Sequence, residues 1–195
     1  MTIAFVLGNG VSRNEVDLAQ LRPIGAIYGC NALFRDFVPD CLVATDKPIA
    51  ETIQNSGYSK NNRFYTRKPI SGLGALQIPE KYYGNSSGPV ACAIAAADGH
   101  KKIYMLGFDM GPDRGTFFNN VYAGSDFYKA IDAVPTFTGN WIKQIKTIAQ
   151  DFPKKQFIRV CGKTTASILD LTKLPNLTHT PMQLFLELLH SPVNL

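Results

Sequence analysis

No stretch of this sequence stays apolar long enough to cross a bilayer as a helix. The longest apolar run, residues 90–97, stops at Asp98, whereas a spanning helix needs ~20 such residues. The amino terminus lacks the basic start, long hydrophobic stretch and small-residue cleavage site of a secretory signal. It opens instead into an apolar segment that ends in Gly8-Asn9-Gly10. The four cysteines, Cys30, Cys41, Cys92 and Cys161, are far apart, with no C-x-x-C and no nearby histidine pair. That spacing argues against a zinc site and against a disulfide framework, and it fits a reducing compartment. Together these absences predict a cytoplasmic protein. Charged residues make up only 18% of the chain and apolar ones 45%, a balance that excludes wholesale disorder.

The net charge of +5 is spread out, with only pairs such as Arg67-Lys68, Lys101-Lys102 and Lys154-Lys155. Without a basic stripe, nucleic-acid binding gains little, although a positive field helps to attract a phosphorylated ligand. Familiar catalytic signatures are missing as well. There is no G-x-x-x-x-G-K-[ST] loop, no G-x-S-x-G elbow and no H-E-x-x-H. No D-x-D is present to hold a metal ion, so neither a metal nor a cofactor is expected. Of the three histidines, His100 precedes a strand at the edge opposite the strand tips, and His179 and His190 are expected to face solvent. None has an evident acidic partner, which leaves a catalytic triad unsupported.

What remains is an alternation of strand and helix. Ile3–Leu7 is a continuous apolar run ending at glycine, as in a strand buried on both faces. Ser12 and Glu15 have capping-box spacing, which predicts a helix over 12–21. Further strands are expected at 26–28, 42–45, 63–66, 102–106 and 157–160. Ser86-Ser87-Gly88-Pro89 suits the start of an alanine-rich helix over 90–97. Another helix is expected at 141–150, stopped by Pro153, and a last amphipathic one is opened by Thr180 and Pro181 and runs through Leu189. This order predicts one domain over 1–195: an α/β, Rossmann-like, mostly parallel sheet with helices on both faces. Residues 111–135, rich in glycine, asparagine and aromatics, interrupt the rhythm. They read as a lid with a short helix over 126–133, or equally as an arm for contacts in a homo-oligomer.

In an open parallel sheet, ligands bind beyond the carboxyl ends of the strands. Small or polar residues stand at each such end: Gly8, Asn9, Gly10 and Ser12, then Asn31, then Asp46, then Asp109, with Ser86, Ser87 and Gly88 opening the alanine-rich helix. Gly8-Asn9-Gly10 is half of a dinucleotide-binding pattern whose third glycine is replaced by Arg13, and it also reads as a plain turn. Asn31, Asp46, Ser86 and Ser87 are good helix caps, and Asp109 could simply anchor a turn. Their shared edge is what suggests a site for a small nucleotide or nucleotide sugar.

Three blocks resemble the bacterial lipooligosaccharide sialyltransferases and the sialyltransferase-like proteins that share their core. They are Phe5-Val-Leu-Gly-Asn-Gly-Val-Ser, Tyr28-Gly-Cys-Asn-Ala-Leu, and the long stretch from Ser86 to Asp109, together spanning roughly the first 110 positions. The resemblance implies a metal-independent glycosyltransferase that takes a cytidine-monophosphate sugar. By position, Asn9, Asn31, Ser87 and Gly88 match donor-holding residues, and Asp46 falls where an asparagine is expected. One of two phosphate-side tyrosines is replaced by Met110, while the second matches Tyr122. The histidine base of that family is matched by Asn140. A carboxamide cannot take a proton near neutral pH, and a missing base costs ~10²–10⁴-fold in rate, so Asp113, Asp126 or Asp132 would have to substitute. Two rival readings stand beside transfer: a non-catalytic nucleotide-binding or assembly protein, and phosphoryl or diphosphoryl transfer with magnesium on Asp46 and Asp109.

Overall fold

The computed structural model describes residues 2–191. Its eight strands are β1 (Ile3–Leu7), β2 (Ala26–Cys30), β3 (Cys41–Ala44), β4 (Phe64–Thr66), β5 (Leu76–Gln77), β6 (Lys102–Leu106), β7 (Gln156–Cys161) and β8 (Leu177–Pro181). The helices are α1 (Lys47–Asn55), α2 (Tyr58–Asn61), α3 (Ser87–Ala97), α4 (Gly139–Asp151), α5 (Leu169–Thr172) and α6 (Met182–Leu189). The strands form one sheet in the order β5-β4-β3-β2-β1-β6-β7-β8, and every pairing is parallel. The chain therefore builds outward from β1 to β5, returns along α3, and resumes on the other side of β1 with β6. The β1/β6 boundary is the switch point where such sheets open a crevice.

Alternation along β1 explains the two cores. Ala4 and Val6 face α3 and α4, packing with Val90, Ile94, Ile145 and Ile148. Phe5 and Leu7 face the other side, with Ile53 of α1 and Phe185 of α6. Successive side chains of a strand point to opposite faces, so a strand covered on both sides reads as an unbroken apolar run. In α3, Ala91, Ala93, Ala95 and Ala96 are all buried. These short side chains let the helix lie close on the sheet and bring its first turn to the strand tips.

Several local expectations are overturned by distant partners. The 12–21 helix is instead two 3₁₀ turns, Val11–Glu15 and Leu18–Leu21, separated at Val16 by extended backbone. The capping box never closes, because Ser12 bonds to Asp109 and the Glu15 carboxylate accepts the Lys163 amide at 2.8 Å. No helix forms over 126–133, where Phe127 sits in the left-handed region at φ 72° and turns replace it. β5 and β8 were not expected. β8 takes Thr180 and Pro181 into the edge of the sheet, so the last helix begins at Met182.

His179, expected in solvent, lies half-buried on β8 with its Nε2 lacking a partner, and His100 Nδ1 is likewise buried and unpartnered. Burial is the chief influence holding both imidazoles below the usual histidine value, against the pull of Asp98 on His100. Just below ~6.5, the unfolded-state value, the unfolded chain thus binds more protons than the folded one, and stability falls as pH drops. The unfolding temperature should decline from about pH 7 to about pH 5.5, and a double His100→Gln, His179→Gln variant should flatten that decline. Parallel profiles for the two proteins would show that the imidazoles do not carry it.

Candidate functional site

At the switch point the backbones of β1 and β6 nearly touch. The Gly8 amide donates to Leu106 O at 2.8 Å and the Gly10 amide to Gly107 O at 2.9 Å. A Cβ on Gly8 would lie 2.5 Å from Gly107 O, and one on Gly10 2.5 Å from the Asp109 carboxyl carbon. The two glycines therefore serve strand contact. With the Val11 amide on Asn119 Oδ1 and the Ser12 amide on Asp109, the loop's donors are largely consumed within the protein. Of the two readings of Gly8–Gly10, this geometry favours the structural turn over the dinucleotide-binding loop.

Beyond that junction is a cavity of about 170 Å³. Gly8, Asn9, Gly10, Asn31, Asp46, Ser86, Ser87, Gly88 and Asp109 all line it. Of the expected binding residues only Ser12 does not. It is buried, and its hydroxyl donates to Asp109. Asp109 is 3% exposed and accepts four hydrogen bonds, from the Ser12 amide, the Ser12 hydroxyl, Thr164 Oγ1 at 2.6 Å and Thr165 Oγ1 at 3.1 Å. Its lone pairs are engaged inside the protein, so it bolts the β1, β6 and β7 loops together and is poorly available to a magnesium ion.

The opposite wall is centred on Ser87. Its hydroxyl donates to Asn31 Oδ1 at 2.8 Å and accepts the Thr45 amide at 3.0 Å. Asn31 has φ 52°, a left-handed conformation that asparagine tolerates better than most residues. Its side chain does not cap the 3₁₀ turn Asn31–Arg35; Cys30 is the N-cap. Asp46 is the N-cap of α1 but makes no side-chain capping bond, and Ser86 at the start of α3 makes none either. The Ser86 amide is taken by Gln144 Oε1. The Ser87 and Gly88 amides of the first turn have no intrahelical acceptor available to them. The start of an eleven-residue helix thus points partial positive charge at the cavity.

Asn9 is a wall residue held at both ends: Nδ2 donates to Tyr128 OH at 3.3 Å, and Oδ1 accepts from Arg13 at 2.8 Å. Tyr128 OH also accepts the Ala32 amide, and the Val121 amide donates to Asn9 O. The 111–135 excursion is thereby sewn to the strand tips, and it supplies Asn119, Asn120 and Gly111 to the cavity.

The catalytic candidates do not reach the cavity. Tyr122 is buried against Tyr128, its hydroxyl accepts from Arg13 at 3.1 Å, and burial pushes its pKa up to about 12. Asn140 is exposed on the first turn of α4, and Asp126 is exposed with its carbonyl held by Arg35. Asp132 is exposed and Asp113 pairs with Arg114, so neither carboxylate lines the cavity. Cys30 does line it, but burial raises its thiol to about 12, which rules out an activated thiolate.

Sequence reasoning missed three important residues. Trp141 lines the cavity, with Nε1 donating to Ser86 Oγ at 3.0 Å. Arg13, the supposed defect in the glycine pattern, is buried and ties Gly8 O, Asn9 and Tyr122 together. Arg159 is fully buried and donates to Phe108 O, Asp109 O and Ala166 O at 2.8–2.9 Å. An arginine inside the apolar run of β7 was the available signal for the last.

No protein-family model matches the chain, and no curated protein sequence matches it significantly. Its fold is similar to solved structures of a sialyltransferase. The CstII enzyme of Campylobacter jejuni in complex with cytidine-5'-monophosphate aligns with a TM-score of 0.55 at 15% identity, over 90% of this chain and 86% of that one. A complex of CstII with CMP-3FNeuAc gives 0.53 at 15% identity, over 91% and 86%. A third, with a trisaccharide acceptor and CMP, gives 0.53 at 14%, over 90% and 87%. The likeness thus extends well past the first ~110 residues carrying the matching blocks. At this identity it establishes a sialyltransferase-like fold.

Proposed function

We propose that this crevice binds a nucleotide or nucleotide sugar and that the protein is a metal-independent, glycosyltransferase-like protein of the cytoplasm. The observation that carries the reading is the meeting of the α3 N-terminus, Asn31 and Ser87 in one cavity at the switch point. The Ser87 and Gly88 amides would hold the phosphate, and the Asn31 amide, held through its oxygen by Ser87, would donate to the ligand. In a transfer, an acceptor hydroxyl attacks the anomeric carbon as the sugar–phosphate bond breaks, and its proton passes to the departing nucleotide phosphate or to solvent. The helix start then stabilises the charge gathered on the departing nucleotide. The cavity is smaller than the ~300–1,000 Å³ of typical ligand sites, so a whole nucleotide sugar would extend past its rim.

Two observations weigh the rival readings. The saturation of Asp109 counts against phosphoryl transfer with magnesium held between Asp46 and Asp109. The absence of histidine from the cavity lining, together with the outlying Asn140, favours a binding or assembly protein as the second reading. Nucleotide binding is common to both surviving readings, so it is tested first. Saturation with cytidine monophosphate at ~100 Kd, without metal, should stabilise the fold by ~2.7 kcal/mol, roughly 5–11 °C for a chain of this size. Asn31→Ala should weaken binding by ~1 kcal/mol, roughly fivefold. A flat thermal response across nucleotides, with or without magnesium, would abandon the nucleotide readings.

A further inference from the structure

The electrostatic lining of the crevice is unusual for a chain with 20 lysines and arginines against 15 acids. Among the described residues, no lysine, arginine or histidine lines it. The buried cations behind its walls are committed elsewhere: Arg13 to Gly8 O, Asn9 and Tyr122, and Arg159 to three backbone carbonyls. Arg67, near the approach to α3, donates to Tyr83 O and Asn85 O. The one concentration of positive charge is the first turn of α3, which suits a single phosphate.

Two carboxylates share this lining, and their situations differ. Asp109 is compensated by its four donors. Asp46 is exposed to solvent, and its carboxylate has no hydrogen bond or ion pair within the protein among the described residues, nor a side-chain capping bond to α1. Its neighbour Lys47 turns to Glu51 at 3.8 Å. A hydrated negative charge with no protein partner therefore stands at the crevice wall one residue beyond Thr45, whose amide is bonded to Ser87.

Resting on the nucleotide reading above, we infer that Asp46 is a charge selector. It disfavours a transferred group that carries its own carboxylate and accepts one that presents hydroxyl or amino groups. A ligand with hydroxyls or an amine gives Asp46 hydrogen-bond donors in place of water. A carboxylated sugar brings a second anion to a wall without a cation, and like charges brought together are repulsive. The substrate class is accordingly a nucleotide linked to a neutral or amino-bearing group.

The test compares two probes by titration calorimetry on the wild-type protein and on Asp46→Asn, which alters no contact in the structure. The probes are cytidine monophosphate and CMP-3FNeuAc, whose sugar is a carboxylic acid. In wild type, CMP-3FNeuAc should bind about threefold more weakly than cytidine monophosphate, and Asp46→Asn should shift the affinity ratio about threefold towards CMP-3FNeuAc, the size expected for a water-screened charge. Asp46→Glu should keep the wild-type preference, and raising the salt concentration should narrow the wild-type gap. Unchanged probe ratios in Asp46→Asn, or weaker CMP-3FNeuAc binding, would overturn charge selection while leaving nucleotide binding intact. Failure of cytidine monophosphate to bind the wild type would overturn both.

Discussion

Replacing Arg159 with methionine should lower the unfolding temperature by roughly 6–20 °C. The arginine is completely buried in β7 and donates to Phe108 O, Asp109 O and Ala166 O. Burial pulls its pKa below the usual arginine value, against the opposing influence of Cys161 and Asp109. Methionine fills a similar length with apolar atoms but donates nothing, so Phe108 O and Ala166 O lose the Arg159 donor and Asp109 O keeps only the Ala166 amide. Hydrogen bonds to a charged group contribute ~1.5–3 kcal/mol each and orphaned buried carbonyls add a desolvation cost, partly offset by removing a buried charge, so a net ~3–5 kcal/mol is expected. At ~2–4 °C per kcal/mol for a chain of this size the stated range follows. Lysine, whose ammonium cannot reproduce the planar fork, should recover only part of the loss. Thermal unfolding followed by circular dichroism reads the effect. A methionine variant within about 2 °C of wild type would show that those carbonyls find other donors.

Asp109→Ala should be nearly as damaging, for a complementary reason. The carboxylate gathers the Ser12 amide and hydroxyl, Thr164 and Thr165, and its own carbonyl is in turn held by Arg159. Alanine leaves the buried Ser12 amide without an acceptor and frees the loop after β7 from the tips of β1 and β6. Hydrogen bonds to a charged group contribute ~1.5–3 kcal/mol each and an orphaned buried donor adds a desolvation cost, but removing the buried carboxylate recovers its own desolvation penalty, so a net loss of ~3–5 kcal/mol is expected. The Asp109→Asn variant keeps the shape and one acceptor oxygen, and the order of stability should be wild type, then Asp109→Asn, then Asp109→Ala. Urea midpoints with an unchanged slope measure it. Because the same loops build the crevice, cytidine monophosphate should bind the alanine variant poorly even where it remains folded. Wild-type urea resistance in Asp109→Ala, or strong magnesium stabilisation of the wild type, would contradict this role.

How much of this could be read in advance follows from the range of the interactions involved. β1, β3 and β6 were legible because a strand buried on both faces is an uninterrupted apolar run closed by glycine or a polar residue, and β2, β4 and β7 through shorter or interrupted versions of the same pattern. The position of the crevice was legible too, since parallel strands bring their carboxyl ends to one edge. Asn9, Asn31, Asp46 and Ser87 gather there as expected. The individual jobs were not legible. Ser12 looked like a cap, yet its partner Asp109 is 97 residues away. Asn31 looked like a cap, yet it bonds Ser87, 56 residues on. Local rules cannot register such partners, and Arg13 was misread as a gap in a motif for the same reason. β8 escaped notice because an edge strand reading Leu-Thr-His-Thr-Pro buries only its leucine and so carries no apolar run.

The bond from Trp141 to Ser86 has an experimental consequence. This indole is the only one in the chain, and it stands against the first turn of α3 at the crevice wall. Tryptophan emission from the intact protein therefore arises from a single place, the place where a ligand would arrive. Without label or engineered probe, the colour of that light reports wetting, filling or loosening of the wall, separately from melting of the sheet beneath it.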